Sequence, residues 1–137
     1  MGKLETNSIK KLLEIQYGDR FDYHPKFLEE FDDFIHRSGK QKAIIKQLAS
    51  RLNMILQMND LDCGKDWLEH LKKHGNMYSL HIDTCGTNYR LLFSKTPTKK
   101  FFLHVFYEKE DSTMCSYDKH VPIAINRRDN WNEEESI

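Results

Sequence analysis

Residues 77–108, MYSLHIDTCGTNYRLLFSKTPTKKFFLHVFYE, decide the fold, because three largely apolar runs are separated by two short polar segments. From Met77 to Asp83 apolar and polar side chains alternate, which is typical of a strand with one buried face. The runs 89–93 and 101–108 predict two more strands, the last of them central. The turns at 85–88 and 96–98 are too short for a crossover, so the pattern predicts an antiparallel meander.

The segment before this meander predicts two helices. From Phe27 to Ile35 apolar residues recur at helical spacing, and Pro25 suits the first turn of that helix. Ser38 and Gly39 end it, and a longer apolar stripe over 43–56 predicts the second helix.

Two shorter elements complete the prediction. Residues 11–17, KLLEIQY, contain several strand formers and predict a first strand, ended by Gly18. Pro122 to Trp131 predict a short C-terminal helix with Pro122 in its first turn.

The order of elements predicts an α+β fold with a helical hairpin on one face of a small, mainly antiparallel sheet and a short C-terminal helix. The other face is expected to stay partly open and to have room for a site. We expect a single domain over residues 1–131, followed by an acidic tail over 132–137.

Composition excludes several classes of protein. The 137 residues include 8 Phe, 6 Tyr and 2 Trp, enough apolar surface for one packed domain. The three cysteines, Cys63, Cys85 and Cys115, form no CxxC pair, so neither a zinc site nor a disulfide framework is predicted. No apolar run approaches the ~20 residues of a membrane span, and the first residues do not form a signal peptide. We therefore expect a cytoplasmic protein without membrane contact.

Charge is balanced overall, with 21 basic and 21 acidic residues, which is unusual for a nucleic-acid-binding protein. The distribution is uneven, however. Basic residues outnumber acidic ones over 65–128, where most of the histidines also lie, and the tail is acidic. The sequence therefore predicts a mildly basic zone in its second half.

Four segments in this half occur in an order that resembles the RelE/ParE/HigB-like toxin superfamily of bacterial toxin-antitoxin systems, in particular its phage-derived HigB-like branch. They are LEHLKKHGNMYSLHI (68–82), NYRLLF (88–93), FFLHVFYEK (101–109) and IAINRRDNW (123–131). The resemblance is close over about half of the chain and architectural over the rest.

Members of this superfamily commonly cleave mRNA in the ribosomal A site, others poison DNA gyrase, and each is usually silenced by a partner antitoxin. The resemblance therefore implies an endoribonuclease, an mRNA interferase of the RelE-like fold, that needs no metal and no cofactor. The implied partners are a cognate antitoxin protein, mRNA and the ribosome.

The resemblance also implies catalytic residues. RNA cleavage by the neighbouring 2′-hydroxyl requires a base, an acid and a cation at the phosphate. Arg90 matches the family's tyrosine-arginine strand and is expected to bind the scissile phosphate. His81 stands where the family often has a lysine or arginine, and an imidazole can serve as base or acid near neutral pH. Lys109 is expected to neutralise phosphate, Tyr117 to stack on a base or move a proton, and His120 to protonate the leaving group.

The expected RNA-binding residues are Lys72, Lys73, Ser79, Lys119 and Arg127, although Arg127 also suits a structural role on a helix surface. His70 and His74 have the i, i+4 spacing of a zinc pair, but the glutamate of an HExxH motif is missing. No metal site is therefore predicted.

Two other interpretations remain open from the sequence. A toxin that acts by binding, for example to gyrase, predicts exposed hydrophobic residues on the helical hairpin. An interaction module without catalysis, from a phage or mobile element, suits the zero net charge and the missing strand lysine or arginine.

Overall fold

A five-stranded mixed sheet forms the centre of the protein in the computed structural model, which describes residues 8–62, 64–73, 76–108 and 113–135. The α-helices over these residues are α1 (Ser8–Tyr17), α2 (Pro25–Ser38), α3 (Gln41–Gln57) and α4 (Thr113–Glu135). The strands are β1 (Phe21–Tyr23), β2 (Leu68–Leu71), β3 (Met77–Ile82), β4 (Tyr89–Lys95) and β5 (Lys100–Tyr107). The predicted α+β class is confirmed.

The sheet has the strand order β1-β5-β4-β3-β2. Strands β2 to β5 form an antiparallel meander, and β1 pairs in parallel with β5. The meander predicted from residues 77–108 is therefore confirmed, and it is extended by β2 at one edge and β1 at the other. Strand β5 lies inside the sheet as expected, although β4 takes the middle position.

The predicted helical hairpin, α2 and α3, covers one face of the sheet. Helix α2 begins at Pro25, where His24 Nδ1 accepts the backbone N–H of Lys26 at 3.1 Å. It ends at Gly39, whose φ of 70° is a conformation that favours glycine. Buried residues of this hairpin and of the sheet form one apolar core, which includes Phe31, Ile35, Ile44, Leu48, Leu80, Leu91, Phe93 and Phe102.

The prediction of a strand over residues 11–17 is wrong, because these residues belong to α1. Ile9, Leu13 and Tyr17 are buried at the i, i+4, i+8 spacing of a helix and join the same core. The Tyr17 hydroxyl also donates to the Ala49 carbonyl oxygen at 3.1 Å. The first strand comes only after Gly18, at Phe21–Tyr23.

The expectation of a partly open second face is also wrong, because α4 covers it. Apolar residues of the helix pack on this face of the sheet in a second apolar cluster, formed by Leu71, Met77, Leu92, Leu103, Phe106, Tyr117, Val121, Ala124 and Trp131. The helix begins at Thr113, so Pro122 lies inside it and not in its first turn. Packing on the sheet offsets the helical hydrogen bond that a proline nitrogen cannot make.

No helix within the described ranges has both the length and the apolarity to cross a membrane.

Candidate active site

His81 and Arg90 lie side by side on the sheet face that α4 covers. The two residues are directly opposite each other in the register of β3 and β4, so their side chains share a face. Arg90 is opposite Phe106 on its other side, in β5. The meander therefore brings together two residues that the sequence analysis expected in the site.

Helix α4 adds Tyr117 to this pair. The Tyr117 hydroxyl lies 3.0 Å from Ser79 Oγ and 3.5 Å from His81 Nε2, and it donates to Glu69 Oε1 at 3.4 Å. The His81 Nε2 atom is 3.7 Å from the same Glu69 oxygen. We call these five residues, Glu69, Ser79, His81, Arg90 and Tyr117, the His81 cluster.

Glu108 holds the guanidinium of Arg90. Arg90 Nη2 is 2.6 Å from Glu108 Oε1, and both side chains are largely buried. Asn88 fixes the glutamate in place, because its side-chain amide donates to the Glu108 carbonyl oxygen at 2.7 Å. Arg90 Nε and Glu108 Oε2 are buried without a hydrogen-bond partner. The pair therefore keeps unused hydrogen-bonding capacity inside the site.

The pKa values of His81 and Tyr117 differ from those of free side chains. Burial, together with the positive charges of Arg90 and Arg51, lowers the pKa of His81 to about 4, although Asp83 acts in the opposite direction. Burial and the charges of Glu69 and Glu108 raise the pKa of Tyr117 to about 12. At neutral pH the imidazole is therefore a free base and the phenol keeps its proton.

A second polar group joins α2, β5 and α4 and includes His120. His120 Nδ1 is 2.8 Å from His104 Nε2, and His104 Nδ1 is 3.0 Å from Glu30 Oε1. Arg127 donates to both oxygens of Glu30, at 2.9 and 2.7 Å, and to the Leu103 carbonyl oxygen at 2.8 Å. We call Glu30, His104, His120 and Arg127 the Glu30 network.

Burial alone would raise the pKa of Glu30, but hydrogen bonds from His104 and Arg127 outweigh it and lower the pKa to about 2. Burial and the charges of His104 and Lys119 lower the pKa of His120 to about 4. A neutral His120 has no extra proton to give, so the predicted role of leaving-group acid suits the Tyr117 phenol better. The guanidinium of Arg127 forms an ion pair with Glu30. This pairing favours a structural role for Arg127, which the sequence left open.

The two polar groups meet at Phe106. The His120 ring stacks on Phe106 with centroids 4.2 Å apart, and Tyr117 meets the same ring edge-on at 5.7 Å. His81 and Phe106 lie opposite Arg90 on its two sides, so Phe106 separates Arg90 from the ring of His120. Tyr117 is only 5% exposed and has no open ring face, so the expected stacking on a nucleobase is not available in this conformation.

Three of the predicted RNA-binding lysines do not belong to the His81 cluster. Lys72 and Lys73 are exposed in the turn after β2, and Lys119 is exposed on α4. Ser79, predicted to bind RNA, is fully buried beneath α4, where its hydroxyl meets that of Tyr117. Lys109 lies outside the described residues.

Sequence reasoning missed Glu69 and Glu108. Glu108 ends the most apolar run of the chain, and an acid at that point is the one signal that could have indicated a buried partner for Arg90. Across the part of the chain that the structure describes, no three histidine, cysteine or acidic residues are grouped so that they could hold a metal ion.

Comparisons with protein-family models, with curated proteins and with solved structures found no match for this chain.

Proposed function

We propose that this protein is the toxin of a toxin-antitoxin system and acts in the cytoplasm as a metal-independent endoribonuclease on mRNA, with the ribosome and a cognate antitoxin protein as partners. One observation carries the proposal. A neutral imidazole, a phenol that keeps its proton and an arginine lie next to one another in the His81 cluster. These are the base, the acid and the cation that RNA cleavage by a 2′-hydroxyl requires.

The reaction follows from these three groups. The 2′-oxygen forms a bond to phosphorus while its proton passes to His81 Nε2. The bond between phosphorus and the 5′-oxygen breaks, and that oxygen takes the phenolic proton of Tyr117. The products are a 2′,3′-cyclic phosphate and a 5′-hydroxyl. Because His81 Nε2 and the Tyr117 oxygen are 3.5 Å apart, the imidazolium can then return its proton to the phenolate.

Arg90 supplies the positive charge for the phosphate oxygens. Glu108 fixes the plane of its guanidinium, which leaves further N–H donors for a phosphate. A correctly oriented arginine stabilises the transition state without reorganising during the reaction, and this is the usual origin of electrostatic catalysis.

The gyrase-binding alternative is less well supported. It predicts exposed hydrophobic residues on the helical hairpin. The large apolar residues that are exposed among those described are Ile15, Tyr107 and Ile123, and none of them lies on α2 or α3. A nuclease site on the sheet therefore accounts for the molecule better than a hairpin docking surface.

The test is induced expression in a bacterial host, with growth followed and mRNA 5′ ends mapped. We expect growth arrest and new 5′ ends at fixed positions within translated codons. His81→Gln should lower the cleavage rate by about 10²–10⁴-fold, because it removes the base without removing a hydrogen-bonding side chain. His36→Gln, an exposed change on α2, is the matched control and should cleave as the wild type does.

Normal growth and unchanged 5′ ends, with folded protein confirmed in the cells, would contradict the proposal and favour an interaction module. Full activity of a folded His81→Gln variant would leave the proposed nuclease activity standing but would show that His81 is not the base.

A further inference from the structure

Two turns rich in lysine lie at the same end of the sheet. Consecutive turns of a meander alternate between its two ends, so the β2–β3 turn and the β4–β5 turn share one end. We call the lysines in these turns and at the strand ends beside them the lysine surface: Lys72, Lys73, Lys95, Lys99 and Lys100. The turn at the opposite end, residues 83–88, contains Asp83 and no basic residue. Positive charge is therefore concentrated at one end of the sheet.

Lys95 and Lys100 are directly opposite each other in the register of β4 and β5. Like charges in this position destabilise an antiparallel pair of strands. Burial and the charge of Lys95 lower the pKa of Lys100, and the second of these effects is that repulsion. Among the described residues no carboxylate forms an ion pair with either lysine. The fold therefore keeps a repulsive pair of cations that it does not neutralise.

Few acids compensate the rest of the lysine surface. Lys72 and Lys73 are exposed, and over the part of the chain that the structure describes neither forms an ion pair. Lys99 has a carboxylate partner, since its Nζ is 3.4 Å from Asp22 Oδ1. The segment that enters β1 at this end adds one acid and one base, whose charges cancel: Asp19 and Arg20. The lysine surface thus keeps a net positive charge.

The turn between β4 and β5 holds its lysines in a fixed arrangement. The Thr96 N–H donates to the Lys99 carbonyl oxygen at 2.8 Å, and Thr96 Oγ1 accepts the Lys99 N–H at 3.1 Å. The two lysine turns are centred two strand spacings apart, about 10 Å. A chain of phosphates can therefore contact both turns at once, whereas a single small anion contacts one of them.

We propose that the lysine surface binds the phosphate backbone of RNA, where the choice of RNA over DNA rests on the proposed function. Lysine attracts phosphate as a point charge and reads no base, so the contact is independent of sequence. None of the five lysines belongs to the His81 cluster. The binding surface is therefore separate from the site of cleavage and can be tested separately.

An RNA backbone suits this surface better than an acidic protein does. Protein interfaces have an apolar core in which aromatic residues are enriched. The large apolar residues that are exposed among those described are Ile15, Tyr107 and Ile123, and none of them lies in the two turns. A surface with positive charge and no apolar anchor is typical of binding to backbone phosphates.

The test measures how the affinity for RNA depends on salt. The probe is a single-stranded RNA with 2′-O-methyl sugars, whose 2′-oxygens cannot attack phosphorus, and binding is followed by fluorescence anisotropy. Each phosphate contact on a single strand contributes about 0.7 to the slope of log affinity against log salt. We expect Lys95→Gln combined with Lys100→Gln to reduce the steepness by about 1.4. If the two proteins converge at about 1 M salt, binding is then about 25-fold weaker at about 0.1 M.

The matched control removes the same net charge from the other end of the sheet. Lys42→Gln combined with Lys46→Gln changes two exposed lysines of α3. They precede Gln47, whose Oε1 accepts the Asp83 N–H at 2.8 Å, so they lie far from the lysine surface. This variant should keep both the salt slope and the affinity close to the wild type.

A second readout distinguishes a binding role from a structural one. Because Lys95 and Lys100 repel each other, replacing both by glutamine should leave the urea midpoint of unfolding unchanged or higher. The variant that loses RNA affinity is then no less stable than the wild type. Lys95→Arg combined with Lys100→Arg keeps both charges and should keep the salt slope.

The outcomes separate this inference from the proposed function. If the wild type binds the probe and the glutamine variant of Lys95 and Lys100 keeps its salt slope, the inference is overturned and the nuclease is unaffected. An equal loss in the control variant would also overturn it, since it would show a diffuse effect of charge. If the slope falls as expected but no mRNA is cut in cells, the lysine surface stands and the nuclease is overturned.

Two competitors test the choice of partner. Polyglutamate that displaces the probe as well as unlabelled RNA does, at equal charge, would indicate an acidic protein and overturn the assignment to a phosphate backbone. Binding of a DNA strand of the same sequence without binding of RNA would overturn the choice of RNA. We expect RNA to compete and polyglutamate to compete much less.

Discussion

The two faces of the sheet are built differently. The face beneath α2 and α3 is apolar, with the rings of Phe27 and Phe93 both in contact with that of Phe102. The face beneath α4 mixes apolar residues with the His81 cluster and with His104 and His120 of the Glu30 network. One face therefore depends on packing, and the other on charges whose partners must all be present.

This difference predicts different responses to substitution. Removing apolar atoms from a packed face leaves a cavity, and the cost depends on how far the neighbours collapse. Removing one member of a buried ion pair leaves the other without compensation, and removing both members costs much less. Single and double substitutions can therefore distinguish the two faces.

The largest effect is expected on the apolar face. Phe93→Ala removes a ring that is fully buried among Tyr78 and Phe102. The free energy of unfolding should fall by about 4 kcal/mol, because the stacked rings on either side cannot fill the space. Urea unfolding of both proteins measures this, with Ile15→Ala at an exposed position as the control. A loss no larger than that of the control would show that this face is not the main packed core.

The two faces also differ in how much of their structure the sequence could predict. The apolar face follows from spacing, because the stripes of α2 and α3 and the alternation in β3 are properties of neighbouring residues. The strand prediction for residues 11–17 was wrong because the strand formers there were given more weight than the i, i+4 spacing of Leu13 and Tyr17. The pairing of His81 with Arg90 depends on the register of two strands. The burial of Ser79 depends on a helix that begins nine residues before Pro122. These are long-range facts that local patterns do not contain.

An intermediate effect is expected at the Arg90–Glu108 pair. Glu108→Gln keeps the shape of the side chain but leaves the buried guanidinium without its counter-charge, so the free energy of unfolding should fall by about 3 kcal/mol. Glu108→Gln combined with Arg90→Met should recover most of that loss, because no buried charge then remains. Equal losses in the single and the double variant would mean that the pair contributes through packing, and the two faces would then not differ in kind.

The smallest effect concerns pH. The pKa of His81 falls from its usual 6.5 to about 4 on folding. Below pH 6.5 the unfolded chain takes up a proton at this residue that the folded chain does not, so stability present above pH 6.5 is lost as the pH falls toward 4. At pH 5 the loss attributable to His81 is about 2 kcal/mol relative to pH 8.

His81→Gln should remove that part of the acid sensitivity, as measured by urea unfolding at pH 8 and pH 5. The pKa of His120 is lowered in the same way, so part of the sensitivity should remain in His81→Gln and disappear in a variant with His120→Gln as well. If the single variant loses as much stability at pH 5 as the wild type, the His81 imidazole is not held neutral by the fold. The catalytic base would then have to be sought elsewhere on the polar face, while the apolar face would be unaffected.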